Sequence, residues 1–521
     1  MKGGRAVRIS AWGGPRRWIA AAAAASLALG LLGCVPARPA DTLCLPVTEF
    51  PRSLDPADNY ASWDLVRCGV GECLTRFDAS MTARPNLAEG WSLAPDRLTW
   101  TFPLRRDVRF SSGRPFTAEA ARDSLLRIFA ASPRARTFFE PAEIRAEGDA
   151  LVIRTKAPAP NLPGLLADPL FLMTDTKAAR DLRREGPAAT GPYRVAAVEA
   201  GRLTLEANPC YRAPVPFRRV DIPAVPDPGA SAMALQSGEA DVVPNVDAGN
   251  LPLFRDAARY RVAETASLRA VLARFNASPG RPLADRRVRA AVVAACDRET
   301  YCRQLLRGTF LPGGPAVPPS MDCGFDRLTD PNAYNPARAK ALLDEAGWLD
   351  RDGDGVREKD GRPLVLTLVT YAARPYLPAL AEAAQADLAR VGVRLVIEIV
   401  DFNVLMARGR DGAYDLLATS VLAGSTGDPE AYLARYWKHG GGVAGWRSEA
   451  YDALADALAA EFDPEKRRAL AAEMQQLLLD DAAALVFGYP KSNMVSSTRV
   501  AGADAAPAEY YWITDRIRPA L

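Results

Sequence analysis

His439 is the only histidine in 521 residues, and that one fact removes most enzyme classes. A His-Glu-x-x-His zinc site needs a pair, and a Ser-His-Asp triad needs one histidine held beside a nucleophile. The chain contains no Gly-x-Ser-x-Gly elbow and no phosphate-binding P-loop. Paired carboxylates can still do acid–base work, but no spacing nominates a pair, and no catalytic residue is expected. Gly440, Gly442 and Gly445 match a Gly-x-Gly-x-x-Gly count. They follow a helical pattern over 430–437 rather than a strand, so a loop is expected instead of a dinucleotide site. Asp350, Asp352, Asp354 and Gly355 fill positions 1, 3, 5 and 6 of a calcium loop, but Gly361 stands where the closing glutamate belongs. A structural turn is expected there, with weak calcium binding as the alternative.

The N-terminus carries chemistry of another kind. Lys2, Arg5, Arg8, Arg16 and Arg17 precede an apolar run over 18–32 and then Leu31-Leu32-Gly33-Cys34. The run is shorter than the roughly 20 residues a spanning helix needs, and its flanks are those of an export signal. A small residue before Cys34 is the lipobox pattern, in which the cysteine thiol takes a diacylglycerol after residues 1–33 are removed. A plain cleaved signal or an uncleaved anchor is the alternative. Arg16-Arg17 leaves Sec and twin-arginine export both open. Seven cysteines then remain, in an oxidising compartment: Cys44, Cys68, Cys73, Cys210, Cys296, Cys302 and Cys323. Cys68 with Cys73, and Cys323 with Cys296 or Cys302, are the pairings considered, and an odd count leaves one thiol over. Without the signal, 60 basic residues face 62 acidic ones, so no nucleic-acid partner is implied.

These residues must be positioned by something, and 521 residues imply about three folding units. The stretch 87–129 is the most legible. Leu98, Trp100, Phe102 and Leu104 alternate with polar residues or proline as in a half-buried strand. Val108 and Phe110 restart the alternation as a hairpin arm, and Thr117 can cap a helix carrying Ala121, Leu125, Ile128 and Phe129. In the second half, 364–370, 377–390 and 393–400 read as strand, helix and strand, a right-handed crossover in a parallel sheet, followed by a helix at 402–409 and a strand at 415–419. Ligands of such sheets sit beyond the carboxyl ends of the strands, here Thr370-Tyr371, Asp401 and 420–428. Two amphipathic helices, 451–460 and 464–480, lead to a last strand at 484–489.

The order Glu89-Gly90-Trp91, then Leu98-Thr99-Trp100-Thr101-Phe102, then Asp107-Val108-Arg109-Phe110-Ser111-Ser112-Gly113-Arg114-Pro115-Phe116-Thr117 resembles the signature of peptide/nickel-class extracytoplasmic solute-binding proteins of ABC importers (solute-binding protein family 5). The likeness continues through Thr190-Gly191-Pro192-Tyr193, Pro282-Leu283-Ala284-Asp285, Tyr334-Asn335-Pro336, Ala346-Gly347-Trp348 and Gly427-Asp428-Pro429. It implies an α/β, two-lobed periplasmic-binding-protein fold of the class II type, with an extra subdomain in the first lobe. The implied division is a tether at 34–42, a lobe I core at 43–55, 187–265 and 485–521, the extra subdomain at 56–186, and lobe II at 266–484. The hinge is expected at 266–276 and 487–496.

What the resemblance implies for function is binding without catalysis or cofactor. A monomer held to the membrane by lipid on Cys34, in the periplasm or at the cell surface, passes a peptide-like solute or nickel chelate to ABC permease subunits. A binding scaffold or hydrolase on the same fold, without a transporter, is the alternative. The ligand-binding candidates are Tyr60, Arg134, Arg136, Phe138, Tyr371, Ser425, Thr426 and Asp428, with His439 a metal contact through the chelate. Ser425 stands where the family's peptide binders carry the aspartate that pairs with an α-ammonium. Asp428 either substitutes for it or caps the helix that follows.

Overall fold

The computed structural model describes residues 38–48, 53–58, 60–441 and 444–520, so the expected export signal and the expected lipidation site Cys34 lie outside the described residues. Strand Thr99–Pro103 buries Trp100 and Phe102 and leaves Thr99 and Thr101 half-buried, as the alternation requires. Buried side chains of this kind each contribute about 1.5–3 kcal/mol. Thr117 Oγ1 accepts from the Ala120 amide at 3.3 Å and so caps helix Ala118–Ala131. The expected hairpin arm at 108–110 is present only as one antiparallel bridge, Arg109 to Pro115. Phe110 N donates to Arg114 O at 2.9 Å, so the chain turns back before a ladder can form. Thr99–Pro103 pairs instead with Ser92–Leu93 and Ala150–Thr155, and Pro141–Glu147 completes a four-stranded subdomain sheet.

A second four-stranded sheet orders Thr42–Cys44, Arg219–Pro223, Arg202–Ala207 and Tyr193–Glu199, the first pair parallel and the others antiparallel. The largest sheet has eight strands. In it Val365–Thr370 runs parallel to Arg394–Ile399 and to Leu416–Leu422, with helix Tyr376–Ala389 as the crossover, and Leu366, Leu368 and Leu416 are fully buried.

The last long strand, Ala484–Ser497, organises the molecule. Sequence suggests 484–489, but it runs for 14 residues. Along its first half it pairs with Arg269–Phe275 and Phe310–Pro312, and along its second with Tyr260–Ala266 and Val242–Pro244. The ladder with Tyr260–Ala266 ends at Ala266 opposite Lys491, and that with Arg269–Phe275 begins at Val271 opposite Gly488. The change of partner along this strand thus falls at 488–491, opposite 266–271. Pro490 sits between the two ladders, and the Ser267 hydroxyl donates to its carbonyl at 2.5 Å.

All seven described cysteines are free thiols, so none of the bridges considered from sequence is formed. Burial pushes the thiols of Cys296 and Cys302 up to about 12, which leaves them as packing groups. No helix among the described residues is long and apolar enough to cross a membrane.

Candidate functional site

The short helix Ala61–Arg67 of the subdomain opens at Tyr60, whose ring stays 60% exposed. One turn on, Trp63 meets Tyr60 edge-on at 5.4 Å and Tyr510 of the C-terminal segment at 5.0 Å. The turn Pro133–Thr137 brings Arg134 over the Tyr60 ring at 4.6 Å, with Phe138 at 5.8 Å from the same guanidinium. Phe138 is fixed edge-on against buried Phe171 at 5.5 Å. Three residues named from sequence thus form one aromatic and cationic wall. Arg136 does not join it; one residue past Ala135, which points into the core, it is exposed.

Behind that wall lies Asp168, whose side chain is 1% exposed. Its Oδ1 accepts from Arg134 Nη2 at 3.3 Å and from the Leu170 amide at 2.9 Å. Burial raises the Asp168 carboxyl, and the Arg134 charge opposes that rise only in part. Asp168 Oδ2 makes no well-formed hydrogen bond among the described residues, with the Trp63 indole and Tyr510 hydroxyl beside it.

Other candidates lie at the carboxyl ends of the parallel strands of the eight-stranded sheet. Tyr371, next after Val365–Thr370, is buried and packs edge-on against Phe402 at 5.1 Å. After Leu416–Leu422 the loop carrying Ser425 and Thr426 crosses to lobe I. Tyr510 Oη donates to Ser425 O at 3.0 Å, and Asn161 Nδ2 to Thr426 O at 2.8 Å. Gly427 makes this approach possible at φ +70°, where a Cβ would lie 2.3 Å from the Met81 carbonyl oxygen. Gly164 does the same from the other side, 2.4 Å from Thr426 O.

Asp428 resolves its two sequence alternatives in favour of structure. Its Oδ1 accepts from Glu430 N at 2.8 Å at the start of helix Glu430–Trp437, and its Oδ2 takes Arg467 Nε and Nη2 at 3.0 and 2.8 Å. Both of its oxygens are thus engaged within the fold. His439 stands at the opposite end of that helix, about 12 Å further along at 1.5 Å per residue. Its imidazole is exposed, and its amide donates to Asp452 Oδ1 at 2.8 Å. The chain beyond it, at Ala444, bonds to Ala277 near Tyr414, at the amino end of Leu416–Leu422 and away from the cleft. The expected metal contact is therefore not part of this wall.

Sequence reading missed the charged group at the base of the cleft. Glu509 takes Arg269 Nε at 2.9 Å, and Arg67 Nη2 lies 3.7 Å from it. Burial would raise this carboxyl, but the charge and hydrogen bond of Arg269, aided by Arg67 and Arg374, hold it down at about 2. Arg374, half-buried at the carboxyl end of Val365–Thr370, acts by charge on both Glu509 and Tyr371. The one hint in the sequence was an acid beside the aromatic run Tyr510-Tyr511-Trp512. At the calcium-like turn, where Gly361 stands in place of the closing glutamate, Glu358 brings its carboxylate within 4.8 Å of those of Asp350 and Asp352. Asp350 and Asp354 accept from backbone amides of the same turn, and Glu358 from Arg351 N, as structural turns do.

Polar and aromatic side chains from distant parts of the chain thus meet where the Ser425–Thr426 loop touches Tyr510 and Asn161. The family model described as bacterial extracellular solute-binding proteins, family 5 Middle, matches residues 82–443. The nickel-binding periplasmic protein of Escherichia coli is 27% identical over 478 residues, covering 86% of this chain and 89% of that one. The crystal structure of NikA from Brucella suis with Fe(III)-EDTA superposes with a TM-score of 0.83 at 24% identity, over 92% of this chain and 99% of that one. The oligopeptide-binding protein AppA of Bacillus subtilis with a nonapeptide gives 0.76 at 20% identity, over 92% and 99%. By sequence over most of its length and by fold over nearly all of it, the chain belongs to the family 5 bacterial extracellular solute-binding proteins.

Proposed function

We propose that this protein is the lipid-anchored binding component of an ABC importer, taking a peptide-like solute or an amino-acid metal chelate to a membrane permease. Cys34 is the anchor, 34–42 the tether, and the division into lobe I (43–55, 187–265 and 485–521), subdomain (56–186) and lobe II (266–484) is the working unit. The observation that carries the reading is the meeting of the Ser425–Thr426 loop with Tyr510 and Asn161, which closes lobe II over the Tyr60–Arg134–Phe138 wall. A ligand that touches both walls stabilises the closed form relative to the open one, and the closed form is what a permease can distinguish. No bond in the ligand need change.

The choice between solutes follows from charge. A free α-ammonium buried in the closed cleft needs an anionic partner; Ser425 supplies none, and Asp428 is already paired. A chelate brings most of its metal's ligands with it and so asks little of the protein. Native mass spectrometry of the purified protein, with elemental analysis, tests the reading directly. A retained peptide or metal chelate, released on unfolding, is the expected result. A cleft that retains nothing and binds neither peptides nor chelates in calorimetry overturns it. Fractionation tests the anchor: a Cys34→Ser variant should leave the membrane fraction.

A further inference from the structure

We propose that the end of lobe I around Phe254 and Tyr260 faces the membrane, with Met233, Leu253 and Val262 resting at the headgroup boundary of the bilayer that holds the anchor. The inference rests on the lipid-anchor reading above and deepens it.

Cys34 and Arg38 are four residues apart, so even an extended chain carries the lipid no more than about 14 Å from the Arg38 Cα. That is short against the radius of gyration of about 23 Å expected for a compact chain of this length. The lipid therefore leaves from the side of the molecule where Arg38 is held. Its holding point is Asp241, whose side chain is 4% exposed. Arg38 Nη1 donates to Asp241 Oδ2, which also accepts from the Cys44 amide at 2.7 Å, and Arg499 Nε donates to Oδ1 at 3.0 Å. Arg38 Nη2 donates to the carbonyl of Glu239, two residues past the end of helix Pro228–Ser237.

The elements gathered there enclose a small core of their own. Ala232 and Leu235 of that helix pack with Phe254, Tyr260 and Val495. Arg259 Nη2 donates to Gln236 O at 3.3 Å and ties the end of the helix to the start of strand Tyr260–Ala266. The side chains that these elements turn outward are apolar: Met233 is 67% exposed, Leu253 44% and Val262 42%. An open groove beside them is lined by Leu251, Phe254, Tyr260 and Val262, with Arg255 and Glu264. One cation and one anion offset each other, so the groove offers a bilayer apolar contact and no net charge. Exposed apolar side chains gain by leaving water, and the tether brings acyl chains within their reach. A diacylglycerol already supplies the two chains that stable anchoring takes, so this contact sets orientation rather than retention.

The test uses the full lipidated chain in vesicles of phosphatidylethanolamine and phosphatidylglycerol that carry a spin-labelled lipid as quencher. A Cys210→Ser background removes the one described thiol that is not buried. A fluorophore is then placed through Ser237→Cys, beside the patch, or through Lys340→Cys on lobe II, both exposed positions. The label at 237 should lose at least about half its emission, and the label at 340 should lose almost none. Met233→Asp combined with Leu253→Asp should abolish the loss at 237 while the protein stays on the vesicles. Equal quenching at the two positions, or quenching at 237 that survives the double substitution, overturns the proposal and leaves the anchor intact. A wild-type protein that does not stay with the vesicles overturns the anchor and this inference together.

Discussion

Glu509 is the residue whose chemistry can be read most directly. Its partner Arg269 is 240 positions away, and both side chains are nearly buried. Held at about 2 against an ordinary 4.5, the carboxylate contributes about 3 kcal/mol near neutrality. Its folded value is depressed, so that stability is fully present above about pH 4.5 and is lost as pH falls from there toward 2. Glu509→Gln strands Arg269 and should cost about 3–5 kcal/mol in denaturant unfolding at pH 7. The gap from wild type should narrow at pH 3; a gap constant across that range would separate Glu509 from the acid response. His439→Ala, by contrast, should leave chelate affinity unchanged in calorimetry, because its imidazole lies beyond the helix that Asp428 starts. Residue types could be read from the sequence, but their partners could not. Periodicity tells which face of an element is buried and says nothing about which distant element covers it, so Tyr60, Arg134 and Phe138 were nameable only by family likeness. Asp168 and Glu509, with no motif around them, were not nameable at all.

Elements were more legible because their signals are local. The cap at Thr117, the alternation through Trp100 and Phe102, and the apolar strand Val365–Thr370 are each written within a few residues, and each is found in place. The hairpin arm at 108–110 is cut to a single antiparallel bridge, Arg109 to Pro115, because the tight turn between them leaves no room for a longer ladder. The length of Ala484–Ser497 was underestimated because its second half, Lys491-Ser492-Asn493, is polar and reads as a strand end, although Ser492 and Asn493 are buried by partners far away in sequence. The loop after Leu416–Leu422 offers the sharpest test at this scale. Gly427→Ala places a Cβ against the Met81 carbonyl oxygen and holds an alanine at φ +70°, a strain of about 1–3 kcal/mol carried by the closed form. Ligand affinity should fall by at least about tenfold while each lobe keeps its own unfolding transition. Unimpaired affinity would mean that the lobes need not meet at this loop.

At the scale of the whole molecule, the proposed hinge lies where the strand changes partners near Ser267 and Pro490, and lobe closure about it is expected. Solution scattering should show a smaller radius of gyration with ligand than without, and an unchanged radius with ligand demonstrably bound would remove hinge closure from the mechanism. The shared strand also governs the order in which the molecule can be made. Ala484–Ser497 lies between Arg269–Phe275 on one side and Val242–Pro244 with Tyr260–Ala266 on the other, and it follows all three by more than 200 residues in the sequence. Until it emerges, the largest sheet lacks the strand that joins its two halves, and contacts so distant in sequence form slowly. The two halves of that sheet can therefore be completed only together, in a single event that waits for this one strand.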